Sequence, residues 1–117
     1  MKIILAGTGA FGEKHLDAIR HIDGIEVVSL VGRDLEKTRA AAARWQVPHA
    51  TTRLTEALSL PGIEAAILCT PTQMHAAQAI ECLEAGKHVQ VEIPLADSWQ
   101  EAAAVAEVQR RTGLICM

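Results

Sequence analysis

The chain has 117 residues, of which half are hydrophobic and only 3% aromatic, and its net charge is −3. This length suits one domain whose core is built from Ala, Val, Ile and Leu, as in helices packed on a parallel sheet. The acidic balance disfavours a nucleic-acid surface, and no apolar run reaches the roughly 18 residues of a membrane span. Three widely spaced cysteines (Cys69, Cys82 and Cys116) without a CxxC motif indicate reduced thiols in a cytoplasmic protein.

Strands and helices are predicted to alternate along the whole chain. The apolar segment at 2–6 predicts a first strand rather than a signal peptide, because a glycine motif follows it directly and no cleavage-site pattern is present. Asp34 and Ser98 are predicted to cap the helices that follow them. The other predicted strands are 25–31, 47–50, 65–69, 88–91 and 114–117, and the predicted helices are 10–22, 35–46, 53–60, 72–85 and 99–113.

Six strands joined by right-handed crossovers predict an α/β fold, a doubly wound parallel sheet of the Rossmann type, as a single domain over residues 1–117. The chain stops within its last predicted strand and has no polar tail. We therefore expect a further, substrate-binding domain to follow this one in the natural protein.

Residues 7–12 read Gly-Thr-Gly-Ala-Phe-Gly, a GxGxxG motif between the first strand and the first helix. In this context Gly7 permits the tight turn, Gly9 lets the backbone approach a pyrophosphate, and Gly12 lets helix and strand pack closely. A glycine-rich turn used only for packing is the alternative, which the surrounding βαβ pattern disfavours. The motif predicts a dinucleotide at the start of the helix.

The end of the second strand predicts which nicotinamide cofactor is bound. An NAD-binding domain usually carries an acid there for the ribose hydroxyls, whereas this chain has Gly32 followed by Arg33. A guanidinium binds phosphate bidentately, so NADP is favoured over NAD, with Lys37 as a possible second cation. Two alternatives stay open: Arg33 as an ordinary solvated charge, and Asp34 as a displaced ribose acid, which would restore NAD.

Two further loops are predicted at the same edge of the sheet, with the sequences CTPTQMH at 69–75 and VEIP at 91–94. Together with AGTGAFGEKH, ILCTPTQMHAAQAIECLEAGKHV and EIPLADS, they make the whole chain resemble the Gfo/Idh/MocA oxidoreductase family. The resemblance implies that Gly7, Thr8, Gly9, Ala10, Phe11 and Gly12 hold the pyrophosphate, that Thr70, Pro71, Thr72 and His75 line the ribose and nicotinamide side, and that Glu92 contacts the nicotinamide ribose region.

The resemblance also implies that the catalytic acid or base lies outside this chain, in a carboxy-terminal domain that family members typically have. The family usually reads Glu-Lys-Pro where this chain has Glu92-Ile93-Pro94, so a cation is missing from the place of hydride transfer. The segments GAFGEKHLD, CTPTQMHA and VQVEIPLADSW are similar to one branch of the family. In that branch NADP is favoured and a carboxylated cyclic hemiacetal is oxidised to a lactone.

The sequence also predicts roles for several other residues. His15 is predicted to pack or lie on the helix surface rather than approach the cofactor. For His75, a contact to nicotinamide or substrate and a structural hydrogen bond are equally expected. His21, His49 and His88 share no ligand spacing, so no metal is expected. Trp99 is expected to pack the last helix. A sugar or inositol dehydrogenase of the same family and a non-catalytic dinucleotide-binding module remain alternatives, and the full-length protein is expected to be a homo-oligomer.

Overall fold

Strands and helices alternate throughout the computed structural model, which describes residues 1–117. All strand pairs are parallel, in the order β3-β2-β1-β4-β5, and this confirms the predicted doubly wound α/β fold. None of the helices is both long and apolar enough to cross a membrane. The strands are β1 (Lys2–Ala6), β2 (Glu26–Val31), β3 (His49–Thr51), β4 (Ile63–Leu68) and β5 (His88–Val91), and the helices are α1 (Ala10–Ile19), α2 (Leu35–Trp45), α3 (Leu54–Leu58), α4 (Thr72–Glu84) and α5 (Trp99–Thr112).

The core lies in two layers, one on each face of the sheet. Successive residues of a strand point to opposite faces, so Ile3 and Leu5 of β1 pack with α1 and α2, while Ile4 and Ala6 pack with α3, α4 and α5. The central strands are therefore apolar on both sides, which is the pattern expected of a parallel sheet covered by helices.

The predicted sixth strand is the clearest correction to the expected topology. In residues 114–117 only Cys116 forms a bridge, in parallel with Val89, so the sheet has five strands rather than six. Hydrogen bonds from Val89 N to Ile115 O and from Met117 N to Val89 O hold these residues beside β5. A third bond, from Val91 N to Met117 O, continues the same pattern.

The first helix is shorter than predicted and ends at Ile19. The amides of His21 and Ile22 bond three residues back, to Ala18 and Ile19, so the chain tightens into a turn before Gly24. Ile22, which was predicted on the buried side of the helix, is consequently half exposed.

Both predicted N-caps are confirmed. Asp34 Oδ1 accepts a hydrogen bond of 2.9 Å from Lys37 N, and Ser98 Oγ accepts one of 3.2 Å from Glu101 N. These bonds satisfy amides that otherwise have no partner within the first turn of a helix.

The direction of chain winding reverses between β1 and β4, the two strands at the centre of the sheet. Crossovers on either side of this point diverge, and a crevice forms beyond the carboxyl ends of the two strands. The residues that follow β1 and β4 line this crevice.

Candidate functional site

A cavity of about 820 Å³ opens at the carboxyl ends of β1, β2 and β4. Of the predicted cofactor residues, the structure places Gly7, Thr8, Gly9, Arg33, Thr70 and Pro71 on its walls. The others, Ala10, Phe11, Gly12, Thr72, His75 and Glu92, do not line this cavity. Its walls also include residues outside the predicted cofactor set, among them Thr38, Thr52, Leu54, Cys69, Met74 and Gln78.

Gly7 and Gly12 are required by close packing of the chain against its own backbone. Gly7 has a φ of +98°, and a Cβ there would collide with the backbone of Cys69, while a Cβ on Gly12 would collide with the carbonyl oxygen of Gly7. These two glycines therefore let the β1–α1 loop fold against β4 and let α1 start close to the sheet.

Gly9 differs from its two neighbours because no protein atom lies within 4 Å of where its Cβ would be. It is the N-cap of α1, and no side chain caps this helix. Amides without partners and the positive end of a helix dipole thus face open space that a side chain at residue 9 would occupy. This arrangement fits a phosphate group, and so fits the pyrophosphate of a dinucleotide.

Arg33 and Lys37 supply the positive charge at the β2 side of the cavity. Both line it, both are exposed, and neither takes part in any ion pair of the structure. Asp34 lies between them, but one of its carboxylate oxygens already accepts the Lys37 amide. The structure therefore supports the capping role for Asp34 over that of a ribose ligand.

His15 and Glu92 form a pair that sequence reasoning did not find. The Nε2 atom of His15 lies 2.6 Å from Oε1 of Glu92, and both side chains are about three-quarters buried. This bond joins α1 to the segment after β5, across 77 residues of sequence. Only the folded topology brings the two together, which is why helix spacing favoured a packing role for His15.

Cys69 lies against the same pair, and burial together with the negative charge of Glu92 raises the pKa of its thiol to about 12. The potential ligand atoms of His15, Cys69 and Glu92 all lie within 4.8 Å of one another. A metal would need the thiolate, which this environment disfavours, and the histidine and carboxylate already bond each other. The absence of a metal remains a prediction.

His75 is nearly inaccessible, with 2% of its surface exposed. Its Nδ1 lies 2.8 Å from the Pro94 carbonyl oxygen and its Nε2 lies 2.6 Å from the Thr70 carbonyl oxygen. The side chain therefore ties the loop after β4 to the loop after β5. Of the two roles expected for it, this geometry favours the structural hydrogen bond over a contact to nicotinamide.

Two large apolar side chains near these loops are exposed. Ile93, which stands where the family usually has Lys, is 88% exposed and precedes a cis-proline, Pro94. Trp99 is 81% exposed, so the expectation that it packs the last helix is wrong. Trp99 is the first residue of α5, and the helix is instead held to the core by Val105 and Val108.

The solved structures to which this chain is similar include two nicotinamide complexes. The WlbA dehydrogenase from Chromobacterium violaceum, in complex with NADH and UDP-GlcNAcA, is 28% identical with a TM-score of 0.93 over 100% of this chain and 34% of its own. Biliverdin reductase from Synechocystis, in complex with biliverdin and NADP⁺, is 25% identical with a TM-score of 0.90 over 98% of this chain and 36% of its own.

Among curated proteins, the 4-carboxy-2-hydroxymuconate-6-semialdehyde dehydrogenase of a Sphingobium species is 58% identical over the whole chain, which covers 37% of that protein. The chain spans about a third of the length of the curated relatives it matches. The model of an oxidoreductase family with an NAD-binding Rossmann fold matches residues 1–117. With its glycine loop, parallel sheet and cavity, the chain therefore belongs to the Gfo/Idh/MocA family of oxidoreductases, as an NAD-binding Rossmann domain.

Proposed function

We propose that this chain is the cofactor domain of an NADP-dependent dehydrogenase. The observation that carries the proposal is the β2 side of the cavity, where Gly32 offers no acid and two unpaired cations, Arg33 and Lys37, line the wall. An acid there would hold the hydroxyls of an NAD ribose and repel a 2′-phosphate, whereas a guanidinium attracts that phosphate.

The substrate that we infer is the cyclic hemiacetal of 4-carboxy-2-hydroxymuconate-6-semialdehyde, oxidised to 2-pyrone-4,6-dicarboxylate. The support is 58% identity over the whole chain to the dehydrogenase that bears this semialdehyde's name. Oxidation of a hemiacetal to a lactone removes a hydride from carbon and a proton from its hydroxyl group. When bound, the nicotinamide supplies the hydride acceptor.

The residues of this chain bind and orient rather than transfer protons. The β1–α1 loop offers backbone amides at Gly9 and Arg33 offers charge. The His15–Glu92 pair fixes a carboxylate next to Cys69, a residue of the cavity wall. We propose that the catalytic acid or base, and cations for the two substrate carboxylates, come from a following domain. Ile93 is consistent with a reaction that needs no lysine at this position.

The test is a turnover assay on the natural protein that carries this chain, run with NADP and separately with NAD. We expect reduction of NADP with the semialdehyde, and little reduction with myo-inositol. Turnover of polyols but not of the semialdehyde would contradict the substrate proposal. Dinucleotide binding without turnover of either substrate class would instead favour a non-catalytic module.

A polyol dehydrogenase is the second candidate, because inositol 2-dehydrogenase of Corynebacterium glutamicum is 25% identical over 95% of this chain. The exposed Ile93 offers a direct discrimination between the two. If Ile93→Lys in the natural protein gains activity on polyols, this single substitution is sufficient for the usual chemistry of the family. We expect it only to lose activity on the semialdehyde, because the reaction that we propose uses a different substrate.

A further inference from the structure

The side chain of Thr38 in α2 explains why position 32 is a glycine. A Cβ on Gly32 would overlap Oγ1 of Thr38 and would lie 3.4 Å from Oγ1 of Thr8. The backbone at Gly32 is not in the left-handed region, so its conformation alone does not require glycine. The exclusion of a side chain therefore comes from the Thr38 hydroxyl.

Thr38 has little freedom to move out of the way. Its side chain is 1% exposed, and its Oγ1 donates a hydrogen bond of 2.6 Å to the carbonyl oxygen of Asp34, one turn earlier in α2. A β-branched residue in a helix has few rotamers, and turning the hydroxyl away would leave a buried polar group without its partner. Thr38 is thus a rigid obstacle rather than the flexible end of a long side chain.

We propose that Thr38 is a specificity-determining residue, which keeps an acidic side chain out of position 32 and so keeps the β2 side of the cavity cationic. This inference rests on the proposed preference for NADP. A carboxylate at the end of β2 is the group that binds the ribose of NAD, and Arg33 and Lys37 would then have a second carboxylate beside them, in addition to Asp34. Without the Thr38 hydroxyl, the nearest Thr38 atom is its Cβ, at 3.4 Å, an ordinary contact distance.

The experiment compares Gly32→Asp with the double variant Gly32→Asp/Thr38→Ala, using thermal melting and titration with NADP and NAD. We expect Gly32→Asp to lower Tm by roughly 4–10 °C, because its Cβ would overlap the Thr38 hydroxyl. Adding Thr38→Ala should recover most of that loss and shift the affinity ratio about tenfold or more toward NAD. The matched control is Gly32→Asp/Thr38→Val, which keeps the bulk and should recover neither.

If Gly32→Asp is as stable as the natural chain and already prefers NAD, Thr38 excludes nothing and the inference is wrong. If Gly32→Asp does not fold, the smaller substitution Gly32→Ala tests the same obstacle. Its Tm loss is then measured in the natural chain and in the Thr38→Ala variant. Equal Tm losses in both backgrounds would overturn the inference. The proposed function would fail separately if the natural chain preferred NAD. In that case Thr38→Ala would still recover the Tm that Gly32→Asp loses.

Discussion

At the scale of single residues, we propose that charge at the β2 side of the cavity selects NADP over NAD. Arg33 is exposed and makes no ion pair, so its guanidinium is free for a phosphate. Loss of a charge-assisted bond of about 1.5–3 kcal/mol predicts that Arg33→Ala weakens NADP binding about 10–100-fold and changes NAD binding little. Lys37→Ala is the comparison variant and should weaken NADP binding less than Arg33→Ala does. Equal loss for both dinucleotides would exclude a 2′-phosphate role.

The glycine motif allows a second residue-scale prediction, because its members serve different purposes. Gly12→Ala should destabilise the chain, since its Cβ would collide with the Gly7 carbonyl oxygen. Gly9→Ala should leave Tm within a few degrees of the natural value and weaken dinucleotide binding, since its Cβ meets only open space. Thermal melting and titration of the two variants measure this contrast. Unimpaired binding by Gly9→Ala would contradict the pyrophosphate assignment.

At the scale of elements, the start of α2 tests whether Asp34 is a cap or a ribose ligand. As a cap, Asp34→Ala should lower the free energy of unfolding by about 0.5–2 kcal/mol, as should the matched variant Ser98→Ala at the start of α5. Neither should change the ratio of NADP to NAD affinity. A selective loss of NAD binding in Asp34→Ala alone would restore Asp34 as the acid that holds the ribose.

The sequence predicts some helices and strands well and others poorly. Continuous apolar runs and clear caps predicted β1, β5, α2 and the start of α5, because local patterning determines them. The end of α1 and the single bridge at Cys116 depend on turn geometry and on pairing with β5, which no local pattern specifies. The His15–Glu92 pair was missed for a similar reason, since its partners meet only across the sheet edge.

At the scale of the whole molecule, the partly buried thiol of Cys69 and the buried thiol of Cys82 predict how stability depends on pH. Burial raises the pKa of Cys69 and Cys82 to about 12, with nearby carboxylates adding to the rise, against about 8.5 in an unfolded chain. Above about pH 8.5 the unfolded chain releases these protons while the folded chain retains them, so the free energy of unfolding should fall as pH rises toward 12.

Thermal melting between pH 7 and pH 10.5 measures this effect, and the chain has no tyrosine to add to it. A double variant, Cys69→Ala/Cys82→Ala, should start from a lower Tm, because it leaves a cavity, but should lose less of it over this range. An identical slope in the double variant would show that the thiols do not cause the alkaline loss.

The overall fold could be predicted from the alternation of strands and helices and from the position of the glycine motif, because few topologies are available to βαβ units of this kind. The cavity could be predicted only in part, since Thr38 and Thr52 reach it from two separate segments that no motif marks. The substrate domain, its catalytic residue and the oligomeric state remain proposals for the natural protein.

Calorimetric titration of the chain with each dinucleotide, at one fixed salt concentration, tests the claim that it binds NADP in preference to NAD. We predict saturable binding of both, with NADP about tenfold or more tighter, because the 2′-phosphate meets Arg33 where NAD offers only a hydroxyl. Equal or tighter binding of NAD would contradict the claim.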